Sequence, residues 1–468
     1  MDMIFGQLFL LAGNAPPKST RPHSCMAVTQ VCGRWRRVAY RCADMWRSIP
    51  VESKEWTEIA LQQSRGHSIT VRWLFSNARL NVDALACVLK EHFRLRELSL
   101  NLRAHYDDLD AIVNMINATL DAWDPSSSLE TFVLEASNAM GESNLVSVPP
   151  TVRSVKLEGF YFPIRIFRGR NQLRRFEMNA LQPWVSLDEM LVTLSDLRQL
   201  EYLHIGDDVL SDDTVVDESL RLPQVVFPDL KSLTIGGTVG TINAFVRNVG
   251  FPPSCELELL YQDIRGLEDV DEGEVEFLAA SLRILYSSAI EAASSFQTLV
   301  IENMHDTFGV WLRINASEPV PSPQLPARLC LDVMSPESPP AFTSQLLSSV
   351  PLIGGVKTIT LVGVPFLGSQ EWQRIGPAMA DVESLLLKCE AGAARGIYEA
   401  LQAALCSTPA VFPKLRNVVV MLRGDSALEL PEDLQRPEGS QVTVAVEIWL
   451  SGPPDSETDQ DWRPMEVG

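Results

Sequence analysis

The chain has 468 residues, 46% hydrophobic and 21% charged. That is enough apolar material for a sizeable core, and it excludes wholesale disorder. The formal net charge is −21, and a body so acidic repels phosphate backbones, which excludes general nucleic-acid binding. The charge is uneven, because residues 1–50 carry seven basic side chains against two acidic ones, a balance of +5 that leaves −26 for the rest.

The chain opens on MDMIFGQLFLLAGNAPP. Its apolar run has the length of a signal peptide, but Asp2 stands where a basic residue belongs and Gln7 interrupts the run, so a cytosolic helix is expected. No stretch reaches the ~18 apolar residues of a membrane span. In the next segment Val28, Val31, Cys32, Trp35, Val38 and Ala39 fall at helical spacing, while Arg34, Arg36, Arg37 and Arg41 lie off that stripe. A single-strand stacking platform interleaves exposed aromatics with basic residues, and here the two are segregated. A membrane-surface helix needs a larger apolar face than one containing Cys and Ala.

From residue 91 one short frame returns, with apolar residues at its first, fourth and sixth positions. It begins at Leu95, Leu129, Val152, Leu173, Leu200 and Leu230, with weaker copies at Phe296, Val356, Val382 and Leu415. Positions four and six lie two apart and so share one face of a strand, while position five points to the other side. Ser99, Lys156, Glu177, His204 and Thr234 occupy that fifth position and are the candidate target-binding residues. Helical periodicity separates the copies. Leu109, Ile112, Val113, Ile116 and Leu120 form one stripe, and Ser186 with Glu189 stands in capping-box register before Met190, Leu191 and Leu194. The segments GEVEFLAASLRILYSS and RGIYEALQAALCS have the same periodicity.

Strand, loop, helix and loop at this interval is the layout of a leucine-rich-repeat solenoid with parallel strands and helices on the convex side. A doubly wound sheet would also alternate strands and helices. About ten strand copies exceed what one open sheet normally holds, however, and central doubly wound strands run unbroken in Val, Ile and Leu. The expected fold is therefore an α/β repeat, irregular in period and without the consensus Asn/Cys ladder, over residues 91–450. Residues 1–50 form a small helical module before it and 51–90 a linker or N-terminal cap. Proline-rich stretches at 317–328 and 334–342 are expected as loops, and the acidic tail 451–468 as disordered.

The segment FGQLFLLAG, with MAVTQVCGRWRRVAYRCADMWRSI after a Pro-containing loop, resembles the F-box in the divergent form common in mushroom-type fungi. That family binds the adaptor subunit of SCF-type cullin–RING ubiquitin ligases and commonly carries leucine-rich repeats downstream that select the substrate. The resemblance implies that Phe5, Leu8, Phe9 and Leu11 belong to a first helix and Val31, Cys32, Trp35 and Val38 to a second. Trp46 and Ile49 would close the module. The usual Leu-Pro-x-Glu opening is missing, which implies a short first helix or a truncated start.

No catalytic signature accompanies these elements. The six histidines are scattered, and neither a nucleophile elbow nor a Walker or dinucleotide glycine loop occurs. TIGGTVGT at 234–241 lacks the spacing of a phosphate loop, and the acidic run 207–218 lacks the order of a calcium loop. None of the eight cysteines forms a C-x-x-C pair, which fits a reducing cytoplasmic or nuclear compartment and no metal. The expectation is a non-enzymatic substrate-recognition subunit without cofactor, whose partners are the ligase adaptor and a target protein with a basic surface. The rival is a repeat scaffold or sensor in which residues 1–50 only cap the solenoid.

Overall fold

The computed structural model describes residues 32–73, 80–103, 108–122, 128–136, 145, 147–160, 162–179, 185–206, 209–210, 223–252, 254–261, 280, 298–304, 309–315, 328–334, 355–362, 369–406, 411–423, 433–435 and 441–449. The chain divides into two compact units, Met1–Gly237 with Asn248–Pro252, and Thr238–Arg247 with Pro253–Gly468.

The first unit begins with helix α1 (Gly33–Arg41), a 3₁₀ turn (Ala43–Trp46) and α2 (Lys54–Gln63). Strand β1 (Ile69–Trp73), α3 (Val82–Leu89), β2 (Leu95–Asn101), α4 (Leu109–Asp121), β3 (Thr131–Glu135) and β4 (Ser154–Glu158) follow. After these come β5 (Arg175–Asn179), α5 (Leu187–Leu194), β6 (Tyr202–Ile205), β7 (Val225–Val226), β8 (Ser232–Gly237) and β9 (Val249–Gly250). Strands β1, β2, β3, β4, β5, β6 and β8 pair in that order, all parallel, and β7 pairs with β9.

The repeated frame explains the core. Leu98 and Leu100, Phe132 and Leu134, Val155 and Leu157, Phe176 and Met178, Leu203 and Ile205, and Leu233 and Ile235 are all buried, as are the first-position residues that precede each pair. Burying one such side chain contributes roughly 1.5–3 kcal/mol, so each copy carries a substantial stabilisation. The wandering period is absorbed by the connection and not by the strand. The 34-residue interval from Leu95 to Leu129 contains the 13-residue α4, and the 27-residue interval from Leu173 to Leu200 contains the 8-residue α5. The 21-residue interval from Val152 to Leu173 has room only for a 3₁₀ turn at Ile164–Phe167. There Phe167 packs between Phe162 and Phe176, with centroids 5.5 and 4.6 Å away.

Each repeat is pinned to the next by the backbone of its second position. The Glu130 carbonyl accepts from Arg153 and Ser154, that of Arg153 from Arg174 and Arg175, that of Arg174 from Glu201 and Tyr202, and that of Glu201 from Lys231 and Ser232. The second unit repeats the device. The Lys357 carbonyl accepts from Glu383 and Ser384, and the Glu383 carbonyl from Arg416 and Asn417. Both units therefore share one repeat frame.

The second unit contains α6 (Val239–Asn248, of which Asn248 falls to the first unit), β10 (Glu256–Tyr261), β11 (Thr298–Met304), β12 (Gly309–Asn315), β13 (Arg328–Met334), β14 (Thr358–Val362) and α7 (Ser369–Ile375). It continues with β15 (Ser384–Glu390), α8 (Ala391–Leu405), β16 (Asn417–Arg423), β17 (Asp433–Gln435) and β18 (Gln441–Trp449). Strands β11, β14, β15, β16 and β18 are parallel neighbours. The expected parallel order has exceptions here, because β12 runs antiparallel to both β11 and β13, and β17 antiparallel to β18. Only four residues separate Met304 from Gly309, and a connection that short reverses the chain, since a parallel return needs a dozen residues or more.

Among the strands that the frame did not mark, β1 and β18 follow its register. By register Val71 and Trp73 of β1 stand at positions four and six and the buried Ile69 faces Leu95 in the first place, but an irregularity between Ile69 and Thr70 shortens the spacing and hides the frame. In β18 Val444 and Val446 stand there, with Gln441 in the first place. Residues 51–90, expected as linker or cap, thus include a strand of the same parallel sheet. The helical expectation at 273–288 and the proline stretches fall almost wholly outside the described residues, and the tail 451–468 entirely so.

Candidate functional site

Pairing in register places the fifth-position residues side by side. Arg72 aligns with Ser99, Ser99 with Val133, Val133 with Lys156, Lys156 with Glu177, Glu177 with His204 and His204 with Thr234. All five candidate residues thus form one row across the sheet face opposite the buried fourth and sixth positions. Lys156, Glu177 and His204 are partly exposed, whereas Ser99 and Thr234 are buried. Their short hydroxyl side chains sit low between longer neighbours, and Ser99 Oγ donates to Glu97 Oε1 at 3.2 Å.

Two flanking rows complete the face. The third-position row runs Thr70, Glu97, Thr131, Ser154, Arg175, Tyr202 and Ser232, and the seventh-position row runs Asn101, Glu135, Glu158 and Asn179. Charges on this face are paired. Arg72 grips Glu97 with two bonds of 2.6 and 2.8 Å. Lys156 reaches Glu135 at 2.6 Å and Glu158 at 3.7 Å, Asn101 Nδ2 donates to Glu135 at 3.0 Å, Arg103 pairs with Glu158 and Arg175 with Glu177. Burial alone would lower the Lys156 pKa, but its hydrogen bond to Glu135 and the charges of Glu135, Glu158 and Glu177 outweigh it and hold the ammonium above its ordinary range. The hydrogen bond to Glu97 likewise raises Arg72. His204 Nε2 lies 2.9 Å from Asn179 Oδ1, which calls for the tautomer protonated at Nε2. The carboxylates are recessed and the cations stand out, with Arg72 57% exposed over Glu97 at 16% and Arg175 54% exposed over Glu177 at 18%. Tyr202 is exposed between two cations, Arg175 at 5.4 Å and Lys231 at 6.0 Å from its ring centroid.

The N-terminal candidates separate into two groups. Trp46 and Ile49 are buried; the Trp46 indole donates to Ala39 O at 2.8 Å and stacks on Tyr40 at 5.5 Å. Ile49 N donates to Thr70 O and Thr70 N to Arg47 O, so the chain at 47–49 lies along the edge of β1 and covers it. Cys32 is exposed, and Trp35 and Val38 are partly exposed on α1, where Ala39 is the buried residue. Phe5, Leu8, Phe9, Leu11 and Val31 lie outside the described residues.

One organising residue has no sequence signature. Arg94, 8% exposed, donates to Leu61 O at 3.0 Å, Ser64 Oγ at 2.7 Å, His67 O at 3.3 Å and Glu91 at 3.0 Å, tying the end of α2 to the start of β2. Its only hint was a long basic side chain immediately before an apolar frame. Among the described residues no helix is long and apolar enough to cross a membrane, and no group of three His, Cys, Asp or Glu could hold a metal ion.

No protein-family model matches the sequence, and no curated protein matches it. Among solved structures the chain is similar to the leucine-rich repeat-containing protein LegL7 from Legionella pneumophila, at 10% identity over 85% of this chain and 91% of that one, with a TM-score of 0.27. So low a score carries no argument. The repeat assignment rests on the register, burial and second-position hydrogen bonds of this chain itself.

Proposed function

We propose that the chain is a non-catalytic protein-recognition subunit that binds a target protein on the polar sheet face of its first unit. The observation that carries this reading is the registered row Arg72–Ser99–Val133–Lys156–Glu177–His204–Thr234, which lines up mostly polar side chains across seven neighbouring strands. Repeat sheets offer such extended surfaces to macromolecules. The finer proposal is that residues 1–50 are an F-box docking to the adaptor of an SCF-type ubiquitin ligase. What supports it is the sequence resemblance, together with Cys32, which precedes α1, and Trp35 and Val38 on it, which stay outside the buried core.

A second reading, in which the segment only caps the repeats, is favoured by the burial of Trp46 and Ile49 and by the backbone bonds of residues 47–49 to Thr70. Co-purification of the full chain with the adaptor separates the two. Leu8→Ala and Trp35→Ala are expected to cut adaptor capture about tenfold, in line with loss of an apolar interface anchor. Unchanged capture by variants with an unaltered melting curve leaves the cap reading standing and removes the ligase one.

A further inference from the structure

In an acidic chain, the repeat from Val152 to Arg175 is strongly basic. It holds Arg153, Lys156, Arg165, Arg168, Arg170, Arg174 and Arg175 against a single acid, Glu158. The preceding stretch from Leu129 to Thr151 contains three glutamates and no Lys or Arg. The fold gathers most of these arginines at the N-terminal edge of three neighbouring strands. Arg174 N and Arg175 N donate to Arg153 O, which puts the starts of β4 and β5 in contact. Gly169, at φ +72°, turns the chain between Arg168 and Arg170, and Leu173 N donates to Arg170 O at 3.0 Å on the way into β5. Gly169 N donates to Asp196 Oδ2 at 3.3 Å, which brings this turn beside the one carrying Arg198 ahead of β6.

Arg174 and Arg175 are paired with Glu201 and Glu177. Among the described residues Arg153, Arg168, Arg170 and Arg198 have no ion-pair partner, and Arg153, Arg168 and Arg198 are exposed. Arg170 Nε is buried with no hydrogen-bond partner among the described residues, and burial pushes its guanidinium pKa down. Buried N–H groups are nearly always satisfied, and like charges gathered in one place destabilise a fold unless an anion answers them. From this cluster we infer an anion-recognising edge formed by Arg153, Arg168, Arg170 and Arg198, and its occupant is a short Asp/Glu-rich segment of a protein partner.

Size favours a peptide. Strands stand about 4.8 Å apart, so β4 to β6 span roughly 10 Å. That is about one Debye length at physiological salt, so these arginines, and not the net charge of the whole chain, set the potential a small anion meets there. Two or three carboxylates fit, each matched to the guanidinium fork. A nucleic acid, with one charge per about 1.7 Å, would extend well past the edge over a chain of net charge −21. The expected partner chemistry is thus the reverse of the basic surface that net charge alone suggested. The inference rests on the protein-recognition reading for its biological partner, but the binding measurement does not depend on the ligase adaptor.

The test uses the full chain and the anisotropy of a short fluorescein-labelled glutamate–glycine peptide. Arg153→Gln, and more so Arg153→Gln with Arg168→Gln, is expected to weaken binding about tenfold or more, with affinity falling steeply as salt rises. Arg416 occupies the same second frame position in the second unit and is exposed, so Arg416→Gln removes an equal charge elsewhere and is expected to leave binding within about twofold. Equal losses from Arg153→Gln and Arg416→Gln overturn the site. So does an intact chain that ignores the peptide, or one that binds single-stranded RNA more tightly at the same arginines. Adaptor co-purification on the same variants keeps the two readings apart: lost peptide binding with adaptor capture intact concerns this edge alone, and lost adaptor capture with peptide binding intact concerns the ligase reading alone.

Discussion

At the scale of single residues, the first unit depends on a few polar side chains that hold apolar elements in place. Arg94 satisfies two backbone carbonyls of the α2 terminus and its neighbouring turn, besides Ser64 Oγ and Glu91. Arg94→Ala removes these bonds, although Leu61 O keeps the one from Ser64 Oγ, and a loss of roughly 2–4 kcal/mol is expected in urea unfolding. Arg94→Lys should recover little of it, because an ammonium cannot reproduce the planar fork; full recovery would mean that charge alone matters. Lys156 supplies a pH test. Its raised folded pKa means that its contribution is complete below ~10.4 and is lost as pH rises through the raised value. In Lys156→Gln the recessed Glu135 loses its cation and keeps Asn101, so about 1–2 kcal/mol should disappear at pH 7. As pH rises through the raised Lys156 value the ammonium is lost, and wild type and variant should converge. Parallel pH dependence of the two would exclude the pairing.

At the scale of elements, the strand is the constant and the crossover is the variable. Apolar positions one, four and six fix which side of each strand is buried, while the connection ranges from a four-residue 3₁₀ turn to the 15-residue α8. The bend immediately after β4 depends on Gly159, at φ +73°, where a Cβ would stand 2.1 Å from the Ala136 carbonyl oxygen. Gly159→Ala combines a disfavoured backbone conformation with a collision against a neighbouring repeat, so a loss exceeding about 1 kcal/mol is expected in thermal or urea unfolding. Gly66 is the matched control, at φ +79° with nothing within 4 Å of the added Cβ, and Gly66→Ala should cost less. Equal losses would assign the effect to backbone conformation alone.

At the scale of the whole molecule, stability is distributed through nearest-neighbour pairing of repeats, so protection should follow position in the sheet. Hydrogen exchange is expected to be slowest in β3, β4 and β5, each flanked by paired strands, and fast in the two-residue β7. Uniform exchange across these strands would contradict a repeat array. The sequence by itself determined the repeat frame, the faces of α4 and α5 and the burial of positions four and six, because period-two and period-3.6 patterns are local and survive in the linear order of residues. It did not disclose β1, where an irregularity after Ile69 breaks the spacing of the frame, or β18, whose first frame position is the polar Gln441. Nor did it disclose the antiparallel β12, the recessed carboxylates under Arg72 and Arg175, or the gathering of Arg153, Arg168, Arg170 and Arg198. Net charge is a sum over the chain, whereas a partner meets the potential within about a Debye length of one surface. Only the stacking of repeats, which brings residues from successive copies to adjacent strands, decides what that local potential is.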